Sequence, residues 1–116
     1  MAATPERSFT RESLEMVAER FKVLGEPTRL RILDALREGE KTVSALVEEL
    51  GTSQANVSKH LGILRRHRMV SRRKEGVRSH YAISDPLIFQ LCDLVCDRLE
   101  TEFRTQREAL SRDDEG

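Results

Sequence analysis

Apolar side chains return every three or four positions from Leu14 through Val17, Ala18 and Phe21 to Leu24, and Gly25 ends the run. That spacing lines one face of a helix and predicts a first helix over 10–24. Pro27 suits the first position of a second helix, where its missing N–H would have no partner in any case. Leu30, Leu33 and Leu36 line one side of it until Gly39. Thr42 is placed to cap a third helix, 43–50, with Val43, Leu46, Val47 and Leu50 turned inward and Gly51 as its stop. Ser53 caps a fourth, 54–66, in which Val57, Leu61 and Leu64 repeat as a buried stripe. Between Met69 and Ile83 the period shortens: Val70, Arg72 and Lys74 precede Gly76, and Val77, Arg78, His80, Tyr81 and Ile83 follow it. Glu75-Gly76 therefore reads as the turn of a β-hairpin. Asp85 and Pro86 open the last helix as cap and first residue. Ile88, Leu91, Cys92, Val95, Leu99 and Phe103 form its seam, flanked by Phe89, Leu94 and Cys96.

The third and fourth helices, joined through Gly51, make a helix-turn-helix, and the hairpin that follows is its wing. The expected fold is mainly α with a small β-hairpin wing, a winged helix-turn-helix of about five helices. A terminal helix that is apolar over more than half its circumference needs a partner, and the same helix of a second copy is the simplest one. The expected assembly is thus a homodimer through the terminal helices. The chain divides into a flexible N-terminal arm, 1–9, a DNA-binding and dimerisation domain, 10–108, and a disordered acidic tail, 109–116, with Asp113, Asp114 and Glu115.

A chain of 116 residues suffices for one domain. Its apolar runs reach only three residues, as at Leu87-Ile88-Phe89, far short of the roughly 20 needed to cross a bilayer. Residues 1–10 carry Glu6 and Arg7 and no apolar stretch, unlike a signal peptide, so the expected location is the cytoplasm. Neither a Gly-rich phosphate loop, a His-Glu-x-x-His motif nor a nucleophile elbow is present, and no enzymatic activity is expected.

Formal charge is balanced at +0, with 20 basic and 20 acidic side chains, but it is not evenly spread. Lys59, Arg65, Arg66, Arg68, Arg72, Arg73, Lys74 and Arg78 fall between 59 and 80 against Glu75 alone, a local balance of +7. These charges lie at the end of the fourth helix and on the wing, where a winged helix tracks phosphates. The N-terminal half of the same helix offers Gln54, Ala55, Asn56, Ser58 and Lys59, small or amide-bearing groups suited to base edges. Gln54 can pair bidentately with adenine, Ala55 can meet a thymine methyl, and Lys59 suits guanine or phosphate.

The stretches Phe21-Lys-Val-Leu-Gly-Glu-Pro-Thr-Arg-Leu-Arg-Ile-Leu33 and Ser53-Gln-Ala-Asn-Val-Ser-Lys-His-Leu61, with Leu64-Arg65, Met69-Val70 and the strand at Tyr81, resemble the ArsR (arsenical-resistance repressor) family of winged-helix regulators over roughly residues 14–103. The resemblance implies a homodimeric bacterial repressor that binds double-stranded operator DNA and leaves it when an inducer binds. On that footing, base recognition falls to Gln54, Ala55, Ser58 and Lys59 with His60 beside them. Wing contacts fall to Arg72, Arg73 and Arg78, and Arg65 and Asn56 complete the DNA-binding set.

The family's metal sites do not carry over. Where one uses cysteines of the third helix, this chain has Thr42, Ser44 and Val47; where another uses ligands of the last helix, it has Asp85, Leu87, Arg98 and Thr101. His67 and His80 lie within the basic block, where phosphate or solvent suits them better than a metal. Cys92 and Cys96 remain as inducer-sensing candidates. Four residues apart on one helix face, their β-carbons stand about 5–6 Å apart, too far for an unstrained disulfide but close enough to converge on a thiophilic metal or metalloid ion, or to react with an oxidant or a persulfide. Two antiparallel copies of the helix would bring four such thiols to the seam. Three readings stand beside one another: a repressor released by a thiol-reactive inducer, an ArsR-type regulator whose cysteines only pack, and a winged-helix module that binds an acidic protein.

Overall fold

The computed structural model describes residues 8–115, with side chains through Ser111. Residues 1–7, most of the arm expected to be flexible, and Gly116 lie outside it. Two compact units divide at Ser84 and Asp85.

The first unit begins with α1 (Arg11–Leu24), capped by Thr10, whose hydroxyl accepts from the Ser13 N–H at 3.0 Å. In α2 (Pro27–Ala35) Pro27 takes the first position and the Glu26 carboxylate, as N-cap, accepts from the Arg29 N–H at 3.0 Å. A single 3-10 turn, Leu36–Glu38, completes the stretch before Gly39. Strand β1 (Lys41–Thr42) leads directly into α3 (Val43–Leu50), and α4 (Gln54–Arg66) follows, capped by Ser53. Gly51 closes α3 at φ 69°, a left-handed geometry natural to glycine. The wing is β2 (Val70–Glu75) and β3 (Arg78–Ile83), turned through Gly76 at φ 62°.

One element was not expected. β1 pairs antiparallel with β3, so the wing is a three-stranded sheet in the order β1-β3-β2. Two residues show no periodicity, and only the partner strand makes them one.

The inward faces of α3 and α4 are those the spacing predicts: Leu46, Leu50, Val57, Leu61 and Leu64 are buried. In α2 the face is rotated. Ile32, Leu33 and Ala35, with Leu36 after them, are buried, whereas Leu30 is exposed. Val23 and Leu24 of α1 and Met69, Val70 and Tyr81 of the wing complete the core. Burying each Leu or Val contributes about 1.5–3 kcal/mol.

The second unit is α5 (Leu87–Glu115) with its lead-in. Asp85 caps it through a side-chain oxygen that accepts from the Leu87 N–H at 3.1 Å. The helix runs on to Glu115. No Gly or Pro interrupts 87–115, and Glu, Arg, Gln, Ala and Leu are strong helix formers. Among the described residues no helix is long and apolar enough to cross a membrane.

Candidate nucleic-acid interface

With Val57, Leu61 and Leu64 facing the core, the opposite side of α4 is left to solvent, and Gln54, Ala55, Ser58 and Lys59 are all exposed there. The Ser53 hydroxyl sets the first turn by accepting from the Asn56 N–H at 3.1 Å. The Asn56 amide is turned back toward the turn, donating to the Thr52 hydroxyl at 3.1 Å, so it braces the start of the helix rather than facing outward.

Gln54 and Ser58 open onto a groove of about 420 Å³. Its other walls are Thr42, Val43 and Ser44 at the start of α3 and Val77, Arg78, Ser79 and Tyr81 of the wing. Hydroxyls, one amide and one guanidinium line it, a set of donors and acceptors fit for base edges and phosphate oxygens. Thr42, Ser44 and Ser79 were not among the expected site residues. They are single hydroxyls on separate elements, and only the packing of α3 against the wing brings them to Ser58.

The strands sort the wing's charges by parity. Residues two apart share a face, and directly paired residues share it across the strands. Val70, Arg72 and Lys74 pair with Ile83, Tyr81 and Ser79, so Arg72 and Lys74 stand on the face that carries the groove-lining Ser79 and Tyr81. Lys74 belongs with Arg72, which the alternation alone could have shown. Ser71, Arg73 and Glu75 take the opposite face with Ala82, His80 and Arg78. Arg78, beside the turn, also reaches the groove.

Two expected contacts are placed otherwise. His60 is 7% exposed, inward among Val57, Leu61 and Leu64. Its Nδ1 lies 3.2 Å from Arg29 Nη1 and 3.7 Å from Glu26 Oε2. A guanidinium only donates, so in the contact with Arg29 the Nδ1 atom can serve only as acceptor. Arg29 also donates through Nε to the Val23 carbonyl at 2.6 Å, so these groups tie the end of α1 and the start of α2 to the middle of α4. His60 thus seats α4 against α2 and is turned away from the exposed face of α4.

Arg73 is engaged on three sides, donating to Glu40 at 2.7 and 3.2 Å and to Glu75 at 2.6 Å. Its hydrogen bonds and charge hold both carboxyls below the usual carboxylate range. By contrast, Lys59, Arg65, Arg72, Lys74 and Arg78 form no ion pair among the described residues. Arg65 lies eleven residues from Gln54, about 16 Å along the helix axis, at the far end from the groove.

On α5, Ile88 is buried, Leu91 and Cys92 are half-buried, and Val95, Leu99 and Phe103 are 54%, 46% and 60% exposed. In the first unit Leu14, Val17 and Phe21 of α1 are likewise exposed. Cys92 and Cys96 are both thiols outside any disulfide, and Cys96 Sγ lies 4.0 Å from Glu100 Oε1. Among the described residues no group of three or more His, Cys, Asp or Glu side chains is placed to hold a metal ion. One chain therefore offers a soft metal two neighbouring thiols and no complete site.

Residues 26–72 match the model of the bacterial regulatory protein, arsR family. An uncharacterized HTH-type transcriptional regulator of Methanocaldococcus jannaschii is 41% identical over 85 residues, which cover 72% of this chain and 96% of that protein. The chain belongs to the ArsR family. Its fold agrees with solved members of that group. The homodimeric winged helix-turn-helix DNA-binding domain of a possible ArsR-family transcriptional regulator from Mycobacterium bovis superimposes with a TM-score of 0.70 at 32% identity, covering 86% of this chain and 91% of that one. The AntR antimony-specific transcriptional repressor does so with a TM-score of 0.74 at 30% identity, covering 90% and 98%. As an ArsR-family winged helix-turn-helix protein, the chain is a transcriptional regulator and not an enzyme.

Proposed function

We propose that the protein is a dimeric repressor that reads duplex operator DNA through the N-terminal half of α4 and grips the backbone with its wing. The observation that carries this reading is the groove in which exposed Gln54 and Ser58 meet Arg78 and Ser79, flanked by the unpaired Arg72 and Lys74. An exposed helix face of small polar groups beside an unneutralised basic strand suits a major groove and its phosphates. The likeness to a homodimeric DNA-binding domain supports the assembly. Gln54→Ala or Ser58→Ala should cost roughly 1–3 kcal/mol on the preferred operator and much less on random duplex, measured by fluorescence anisotropy. Equal losses on both DNAs, or none, would remove α4 from base recognition.

Release from the operator is proposed to run through Cys92 and Cys96. Thiols one turn apart on α5, and the likeness to an antimony-specific repressor, support a thiophilic metal or metalloid ion, or a thiol-reactive species, as inducer. A second copy would bring two further thiols. The Cys92→Ser/Cys96→Ser variant should bind DNA as the parent does and stay bound when trivalent arsenic, zinc, cadmium, peroxide or polysulfide is added, whereas one of these should release the parent about 5–150-fold. A parent that ignores all five agents, or a variant that responds alike, would make the two cysteines packing residues.

A further inference from the structure

The wing's outer face carries an ion-pair strap that its sequence does not announce. Arg73 lies on β2 and Glu40 immediately before β1, with β3 between those strands. The guanidinium therefore reaches across the central strand. It grips Glu40 in a two-point fork, Nε to Oε2 at 3.2 Å and Nη2 to Oε1 at 2.7 Å, while Nη1 holds Glu75 at 2.6 Å. His80, the direct β3 partner of Arg73, places Nδ1 3.7 Å from the same Glu40 Oε1. Exposed single ion pairs contribute little, but a forked pair joined to a second carboxylate is the geometry in which such networks do. Glu40 is followed within two residues by Thr42, the cap of α3, which lines one wall of the groove; Arg78 and Ser79 line the wall opposite. Backbone pairing of Lys41 with Tyr81 and Thr42 with His80 already joins β1 to β3, and the Arg73 strap adds β2 to that join, bracing the outer strand against the start of α3.

We propose that Arg73 is a positioning residue that fixes the wing against the start of α3, and that the wing's phosphate-facing charge is carried by Arg72 and Lys74 on the other face. This rests on the DNA-binding reading above and assigns to two opposite faces of one strand what a basic run would otherwise share out evenly. Arg73 already has carboxylates on three of its five N–H groups, and moving it to a phosphate would strip Glu40 and Glu75 of their shared guanidinium beside DNA.

Charge reversal separates a strap from a phosphate contact. The probe is a mixed-sequence duplex of about 30 base pairs, with affinity measured across a salt series, and all proteins carry Glu75→Gln to spare the reversed pair a like charge. Arg73→Glu alone should weaken binding at least tenfold. Adding Glu40→Arg rebuilds the strap with its signs exchanged and should return affinity to within about threefold of the Glu75→Gln parent, with the salt slope unchanged. Arg72→Ala and Lys74→Ala should each flatten the slope by about 1.8, two contacts per dimer at about 0.9 each. Thermal unfolding of each variant confirms that it is folded. The proposal is overturned if the reversed pair binds as weakly as Arg73→Glu alone, with a slope as shallow as that of Arg72→Ala, because Arg73 would then be a phosphate ligand. Salt-independent binding by the parent itself would instead overturn the DNA reading, leaving the two failures distinguishable.

Discussion

Raising monovalent salt from about 50 to about 200 mM should weaken duplex binding by on the order of 10³–10⁵-fold. Four cations per chain, Lys59 on the exposed side of α4 and Arg72, Lys74 and Arg78 on the wing, have no carboxylate partner among the described residues. Doubled by a two-fold axis they become eight, within the range of about 6–10 phosphate contacts for which that loss is expected. Since net charge is +0, the effect is local to one face and not a bulk attraction between a basic protein and a polyanion. A titration on random duplex at four salt concentrations checks it. A loss under tenfold would point instead to a winged-helix module whose basic face meets an acidic protein.

Leu99→Glu should convert the dimer to monomers at micromolar concentration and lower affinity for a two-half-site operator by about 10²–10⁴-fold. The first effect follows from placing a charge in an apolar seam with no partner there. The second follows because the linked copies engage the second half-site at a high effective concentration that separate monomers lack. Val95, Leu99 and Phe103, each about half exposed, are the part of the α5 seam that a single chain leaves uncovered, and Leu14, Val17 and Phe21 of α1 are a second such patch. Sedimentation of parent and variant decides the matter. A parent that sediments as a monomer at micromolar concentration would remove the assembly from the account.

Most of the architecture could be read from spacing and caps, for physical reasons. Thr10, Thr42, Ser53 and Asp85 each satisfy a first-turn N–H with an oxygen of their own side chain, a local interaction that needs no knowledge of the fold. Gly51 and Gly76 take positive φ, so they punctuate where the sequence places them. What could not be read was non-local. β1 exists only through Tyr81 and His80 opposite it. The inward turn of His60 depends on Arg29, 31 residues away, and Glu40 holds Arg73 from 33 residues away. A charge count treats Arg72 and Arg73 as alike; the pleat puts them on opposite faces.

The central claim is that two copies read duplex DNA symmetrically through α4. Its most direct test is selection of bound sequences from a random duplex library by the purified protein. The account predicts enrichment of an inverted repeat whose half-sites lie about one helical turn apart, or a multiple of it, with preference inside each half-site lost in the Gln54→Ala/Ser58→Ala variant. No enrichment over the input library, or an unsymmetrical motif unaffected by that variant, would contradict it.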